Sequence, residues 1–242
     1  MYKTLNGLKI IFFAVALLLN FAVKAQVLLP TENSEGNHQL FLQIGFEPEL
    51  ITSIGYAHKI SNRNNGIHVG ASIKLAPLII KNQAYKVNFF TSLNYKFSEK
   101  GFAMITPQIY YAHQKDRAGT IDGLGFEINF NPYWYGKKWT KGFELGWQNT
   151  TFGYIRHSRE ARATFDDRYT TINTQYPIDG WYNSTSNRFK IGFTGAKHLN
   201  KRLDLQISVG SLAILQKQKI LLGFSHAQVP IYLNGMVRYK ID

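Results

Sequence analysis

The sequence predicts a transmembrane antiparallel up-and-down β-barrel of about ten strands, with eight or twelve as alternatives. Apolar and polar residues alternate in ten segments, and short turns alternate with longer connections. After the N-terminal segment, no apolar run approaches the roughly 20 residues of a membrane helix. Side chains on a strand point alternately to opposite faces, so such strands can present apolar faces to lipid and polar faces to a lumen.

The first 25 residues have the pattern of a cleavable signal peptide. Two lysines precede a short apolar stretch, and residues 23–25 (Val-Lys-Ala) resemble a cleavage site. An uncleaved anchor helix is the alternative interpretation. Residues 26–37 would then be an N-terminal periplasmic segment, and residues 38–242 the barrel domain.

The first five predicted strands alternate apolar residues with polar residues or glycine. In 39–47, leucine, isoleucine and phenylalanine alternate with glutamine and glycine, whereas 52–57 is a weaker case. The segment 85–97 is the clearest, because aromatic and aliphatic residues oppose lysines, asparagines and a serine. The five segments are 39–47, 52–57, 67–75, 85–97 and 105–111.

The last five strands repeat the pattern at 123–130, 143–148, 188–194, 203–210 and 229–241. Aromatic residues near segment ends are typical of the girdles at membrane interfaces; they are Tyr85, Tyr95, Phe97, Tyr111, Trp134, Trp139 and Tyr239. A soluble β-sandwich or lipocalin-like barrel, with the apolar set inside, is the alternative. Strand length, glycines on the polar faces and the aromatic ends favour the membrane barrel.

The connections predict which end of the barrel faces which compartment. Short turns fall at 61–66, 98–101, 135–142 and 199–202. Longer connections fall between them, at 76–83, 114–120, 157–186 and 216–228, with 47–50 as a short exception. Outer-membrane barrels have periplasmic turns and extracellular loops, so 157–186 is the longest predicted extracellular loop.

Composition limits the chemistry of the chain. It has no cysteine, which excludes disulfides and thiolate metal sites, and no two histidines have metal-ligand spacing. We therefore expect no metal and no cofactor. The formal net charge of +13 is scattered along an exported chain, so we expect contact with anionic outer-membrane lipid and lipopolysaccharide, and no nucleic-acid partner.

The final segment, YLNGMVRYKID, has Gly235, Val237, Tyr239 and Ile241 on alternating positions. It is similar to the C-terminal assembly signal of small outer-membrane β-barrel proteins of Gram-negative bacteria, although it ends in Ile241-Asp242 instead of an aromatic residue. The whole of 38–242 resembles this family in pattern. The resemblance implies a location in the cell outer membrane after export.

The polar faces predict a lumen filled by paired charges, because a barrel of this size is narrow and buried charges need partners. We expect Glu127 and Glu144 to face Arg188 and Lys190, and Asp204 to face Arg238. The alternative is a thin aqueous pore whose basic excess favours anions.

The rim and the long loop contain the other candidate residues. Aromatic side chains of the loop are candidates for binding glycan or peptide: Tyr169, Tyr176, Trp181 and Tyr182. The catalytic candidates, which suit a hydrolase of lipid A or peptides, are His113, His157, Ser158, His226, Asp166 and Asp167. We expect a non-enzymatic scaffold or binding barrel, which binds an extracellular ligand or an envelope protein complex. A narrow channel and a rim hydrolase are the alternatives.

Overall fold

Ten antiparallel strands form a closed barrel in the computed structural model, which describes residues 37–46, 50–61, 66–75, 83–115, 119–163, 179–215 and 231–241. The strands are β1 (His38–Phe46), β2 (Leu50–Lys59), β3 (Ile67–Leu75), β4 (Gln83–Lys96), β5 (Gly101–Lys115), β6 (Gly119–Tyr135), β7 (Trp139–His157), β8 (Gly180–His198), β9 (Leu203–Leu215) and β10 (Ile231–Ile241). Each strand pairs with its neighbours in sequence, and β1 pairs with β10 to close the barrel. The predicted fold class is confirmed, and the strand number is ten.

The strands are longer than the sequence pattern indicated, especially on one side of the barrel. β1 to β3 have 9 or 10 residues, whereas β7 and β8 have 19 each. A tilted strand of about 9–11 residues crosses a membrane, so β5 to β8 extend well beyond it. The prediction of a long connection at 114–120 is wrong, because β5 and β6 leave only 116–118 between them. β7 and β8 are joined by 158–179, which include a short helix at 159–163.

Tight turns lie at the end of the barrel where β1 begins and β10 ends. The backbone N–H of Gly136 donates to Trp139 at 2.6 Å, and that of Leu199 donates to Leu203 at 3.0 Å. The hairpin between β4 and β5 closes in the same way, with the N–H of Phe97 donating to Gly101 at 3.1 Å. We refer to this end as the turn side and to the opposite end as the loop side.

A β-bulge at Thr151 keeps the outer face of β7 apolar. The register shifts between Thr150 and Phe152 on the β8 side and between Leu124 and Gly125 on the β6 side. Trp147 and Phe152 are both exposed on the outer face, although they are five residues apart and would otherwise point to opposite faces.

The barrel is apolar outside and polar inside. Ile109, Ile191 and Phe193 on the outer face are each more than half exposed, as suits side chains that contact lipid. The interior contains buried glutamine, asparagine, serine, threonine and charged side chains. Among the described residues, no helix is long and apolar enough to cross a membrane.

Candidate functional site: the lumen and the rim

The lumen contains three groups of ion-paired side chains at successive levels. The turn-side cluster is centred on Asp204, the second residue of β9. Its Oδ2 accepts from Arg238 Nε at 2.8 Å and lies 3.3 Å from Lys240 Nζ. Its Oδ1 lies 2.9 Å from His198 Nδ1. One carboxylate therefore serves two buried cations and a histidine.

The turn-side cluster also contains a chain of Thr140, His198 and Asp204. Thr140 Oγ1 lies 2.9 Å from His198 Nε2, and the other ring nitrogen faces Asp204. This order matches a nucleophile, a base and an orienting acid. Thr140 is 0 % exposed, however, so no substrate can reach its hydroxyl, and the chain orients the histidine instead.

The middle cluster joins β7, β8 and β10. Lys190 Nζ lies 2.7 Å from Glu144 Oε1, and Tyr232 donates to Glu144 Oε2 at 3.0 Å. The Tyr232 ring lies 4.2 Å from the Lys190 ammonium. The ring also packs on the glycine pair Gly192 and Gly210, where a Cβ on Gly210 would come within 2.6 Å of Tyr232 Cε1. Glycine at these positions therefore lets the tyrosine reach across the lumen.

The loop-side cluster is centred on Glu127. Lys86 Nζ donates to Glu127 Oε2 at 2.9 Å and to Gln148 Oε1 at 3.3 Å, and it lies 4.0 Å from the centroid of the Tyr110 ring. Gln148 Nε2 in turn donates to the Tyr110 hydroxyl at 3.1 Å. The ion-pair partner of Glu127 is thus Lys86, which the predicted network did not assign to it. Tyr110 packs on Gly125, in the way that Tyr232 packs on its glycines.

A cavity of about 40 Å³ lies between the loop-side and middle clusters. Its lining residues, most of them polar or charged, are Lys74, Glu127, Gly146, Trp147, Gln148, Arg188, Lys190 and Leu212. Arg188 lines this cavity and is exposed, although the sequence placed it among the paired charges. The cavity has room for roughly three water molecules at about 10–15 Å³ each.

His113 belongs to the outer face of the loop-side rim. Its Nδ1 lies 2.7 Å from Asp122 Oδ1, its ring stacks on Tyr85 at 5.0 Å, and Tyr111 donates to the same carboxylate oxygen at 2.5 Å. These side chains lie on the same strand faces as the lipid-contacting residues. They form a band of polar and aromatic side chains at the loop-side edge of the apolar outer face, and they do not face the lumen.

His157 and Ser158 have structural partners at the start of the β7–β8 connection. Asp179 Oδ1 accepts from the His157 backbone N–H at 2.9 Å and lies 3.0 Å from its Nδ1, while Oδ2 pairs with Arg162. Ser158 Oγ accepts from the Ala161 N–H at 3.1 Å, which makes it the N-cap of the helix 159–163. The Ser158 hydroxyl is therefore explained without catalysis.

Asp179 is held ionised by these contacts. Partial burial raises the pKa of its carboxyl, but the backbone N–H and ring of His157 together with Arg162 outweigh this effect and lower the pKa below 3.8. The carboxylate thus joins the end of β7, the short helix and the start of β8.

The remaining predicted site residues are only partly covered by the structure. His226, Asp166, Asp167, Tyr169 and Tyr176 lie outside the described residues. Tyr182 lies in β8, whose backbone is described there. Trp181 is 66 % exposed on the outer face and packs against Tyr154 at 5.2 Å.

The described part of the chain contains no group of three or more histidine, cysteine, aspartate or glutamate residues that could hold a metal ion. His113, His157 and Ser158 do not converge on one another there, because His113 and His157 each face a different carboxylate. These contacts give no support to the rim-hydrolase hypothesis.

Sequence reasoning did not assign roles to Lys86, Tyr110, His198 and Tyr232. Tyr110 and Tyr232 carry a signal in hindsight, since both occupy polar-face positions while most aromatic residues of the same strands face outward. His198 gives no such signal, because its contact with Asp204 depends on how closely the β8–β9 turn brings the two strands together.

No family model and no curated protein matches the sequence. A solved structure of a KdgM porin is 10 % identical, with a TM-score of 0.43, 84 % of this chain and 99 % of that chain covered. The beta domain of the Bordetella autotransporter BrkA is 8 % identical, with a TM-score of 0.42 and coverages of 84 % and 98 %. A TodX monoaromatic hydrocarbon channel is 9 % identical, with a TM-score of 0.35 and coverages of 90 % and 75 %.

The architecture itself is decisive for the class of protein. A closed barrel leaves no backbone edge unpaired in lipid, and here it combines an apolar outer face with a polar, ion-paired interior. Tight turns close one end of the barrel, and β5 to β8 project further at the other end, which completes the pattern. The described chain therefore has the architecture of a transmembrane β-barrel of the outer-membrane type.

Proposed function

We propose that the protein is a non-enzymatic outer-membrane barrel whose lumen is closed by its own side chains and whose loop-side rim binds a ligand or partner. The observation that carries this proposal is the stack of three buried ion-pair clusters along the lumen, centred on Asp204, Glu144 and Glu127. The cavity between the loop-side and middle clusters measures about 40 Å³, far smaller than a continuous water column.

The energetics favour a closed lumen over a pore. A hydrated ion that passes the middle cluster would have to separate Lys190 from Glu144 and displace the Tyr232 hydroxyl. Breaking a buried ion pair costs about 3–5 kcal/mol, because one charge is left without compensation. A barrier of this kind at three levels gives little or no conductance.

The length of strands β5 to β8 supports a binding role for the loop-side rim. These strands place Trp181 and the Tyr154 ring beyond the part of the outer face that contacts lipid. Asp179 accepts a hydrogen bond from the His157 backbone and so stabilises the connection between β7 and β8. In this proposal outer-membrane lipid and lipopolysaccharide surround the barrel, and an extracellular ligand or an envelope protein complex binds at the loop-side rim. Exposed aromatic rings suit sugars and peptides.

Single-channel recording in planar bilayers tests the closed lumen. The wild-type barrel should give no current steps above background. The double variant Glu144→Ala/Lys190→Ala removes both charges of the middle cluster and leaves no orphan charge there, so any current above that of the wild type measures the barrier at this level, and the other two clusters should keep that current small. Phe189→Ala is the matched control, because Phe189 lies on the lipid-facing side of the same strand and its truncation should leave the bilayer silent.

A narrow, anion-favouring channel is the second candidate, supported by the basic side chains around the cavity. Steps in the wild-type recording, with a reversal potential that favours chloride over potassium, would replace the closed scaffold with this channel. Steps without anion preference would contradict both candidates.

A further inference from the structure

Basic side chains outnumber acidic ones around the cavity. Three basic side chains and one acidic side chain line it, namely Lys74, Arg188, Lys190 and Glu127. Lys74 and Lys86 are direct cross-strand partners on β3 and β4. Like charges opposite one another destabilise a sheet, and Glu127 supplies one negative charge to Lys86 at 2.9 Å.

Arg188 is the cation best placed to receive an anion. Arg188 lines the cavity, and its side chain makes no hydrogen bond or ion pair with the described side chains. Its cross-strand neighbour Gln148 is already engaged by Lys86 and Tyr110. A guanidinium binds oxyanions through two parallel N–H groups, which gives Arg188 the geometry to hold one.

The size of the cavity limits the ligand. About 40 Å³ holds roughly three waters, which is the space of a single phosphate, sulfate or carboxylate group. A space of about 40 Å³ thus suits a small oxyanion better than a sugar ring or a nucleotide.

We propose that this cavity binds one small oxyanion, such as phosphate, held by Arg188 with Lys74 and Lys190 as further cationic partners. The Glu127 carboxylate on the cavity wall opposes the anion and sets its affinity. This site is independent of whether the barrel conducts, so the bilayer recordings and the binding experiment can fail separately.

Isothermal titration calorimetry of the folded mature barrel, in a detergent without phosphate, tests the site. Sodium phosphate is titrated at constant ionic strength set with sodium chloride, and one saturable site per barrel is expected. Arg188→Gln should weaken binding at least tenfold. Arg156→Gln is the matched control, since Arg156 is exposed on the outer face of the rim, beside the Tyr154 ring, and its loss should change affinity less than twofold.

Two further titrations are expected to change the binding affinity in opposite directions. Glu127→Gln removes the opposing negative charge and should tighten phosphate binding. Folding of this variant is checked by gel electrophoresis with and without boiling, because a folded barrel migrates differently from its unfolded chain. Glucosamine 1-phosphate, which mimics a glycolipid headgroup, should bind more weakly than inorganic phosphate because the cavity suits a small oxyanion better than a sugar ring.

Three results would overturn the proposal. They are no saturable heat with the wild-type barrel, equal weakening by Arg188→Gln and Arg156→Gln, and tighter binding of the sugar phosphate than of phosphate. Equal weakening would indicate general attraction to a basic protein, and tighter sugar-phosphate binding would place the site at the lipid-facing surface.

Discussion

Asp204→Asn is the substitution that most directly tests whether the lumen is closed at the turn side. The asparagine keeps the shape of the side chain and removes its charge. Asp204 is 1 % exposed, and it serves Arg238 at 2.8 Å, Lys240 at 3.3 Å and His198 at 2.9 Å. The variant therefore leaves two buried cations without their carboxylate.

The expected loss of stability follows from that burial. Removing one partner of a buried ion pair costs about 3–5 kcal/mol, whereas an exposed pair is worth about 0–1 kcal/mol. We expect Asp204→Asn to lower the free energy of unfolding by at least about 3 kcal/mol, because Arg238 and Lys240 then repel one another inside the barrel. Salt should change this loss little, since buried charges are poorly screened.

Urea unfolding of the barrel in lipid vesicles, followed by tryptophan fluorescence, measures the change. Asp122→Asn is the matched control, because Asp122 lies on the outer face of the rim and is partly exposed. It should cost no more than about 1 kcal/mol. A loss below about 1 kcal/mol for Asp204→Asn would refute the reasoning, since water must then solvate Arg238 and Lys240 and the turn side of the lumen would be wet.

Three other substitutions test the packing, the loop base and the outer face. Gly125→Ala would bring a Cβ within 2.2 Å of the Asn149 backbone oxygen and 2.5 Å of the Tyr110 hydroxyl, so it should cost about 1–3 kcal/mol in the same urea assay, whereas Gly195→Ala has 4.0 Å of clearance and should be neutral. The lowered pKa of Asp179 means that its stabilisation is complete above pH 3.8 and is lost as the pH falls through the folded value. Hydrogen exchange should therefore show protected amides in the short helix at pH 7 and loss of that protection in acid, with Asp179→Asn unprotected at both; equal protection in that variant would contradict the role of the carboxylate. Ile191→Lys, on the lipid face, should destabilise the inserted barrel by about 2–4 kcal/mol and leave the detergent-folded form much less affected.

Alternation along the chain was sufficient to predict the barrel and the face of most strand residues. Period-two patterning survives in a single sequence because lipid and lumen impose opposite demands on successive side chains. The same pattern could not predict the full length of β7 and β8. Above the membrane the two faces no longer differ in environment, so residues 149–157 of β7 carry weaker alternation.

The pairing of charges across the lumen was harder to predict than the charges themselves. Glu127 lies two strands from Lys86, and the length of the lysine side chain together with the Tyr110 ring decides that contact. Such distances follow from strand register and tilt, which alternation does not specify. The Ser158 cap shows a related limit, because a serine beside a histidine suggests catalysis until the start of the helix is known.

The same side chains close the lumen and stabilise this barrel. Changes in conductance and in the free energy of unfolding should therefore be linked. Tyr232, Lys190 and Glu144 fill the lumen because Gly192 and Gly210 leave room for the ring, and their contacts compensate the burial of the charges. Substitutions that leave a lumen charge without its partner should therefore lower the free energy of unfolding and raise conductance together. Substitutions on the lipid face should lower stability in the membrane without opening a current, because the ion pairs that close the lumen remain intact.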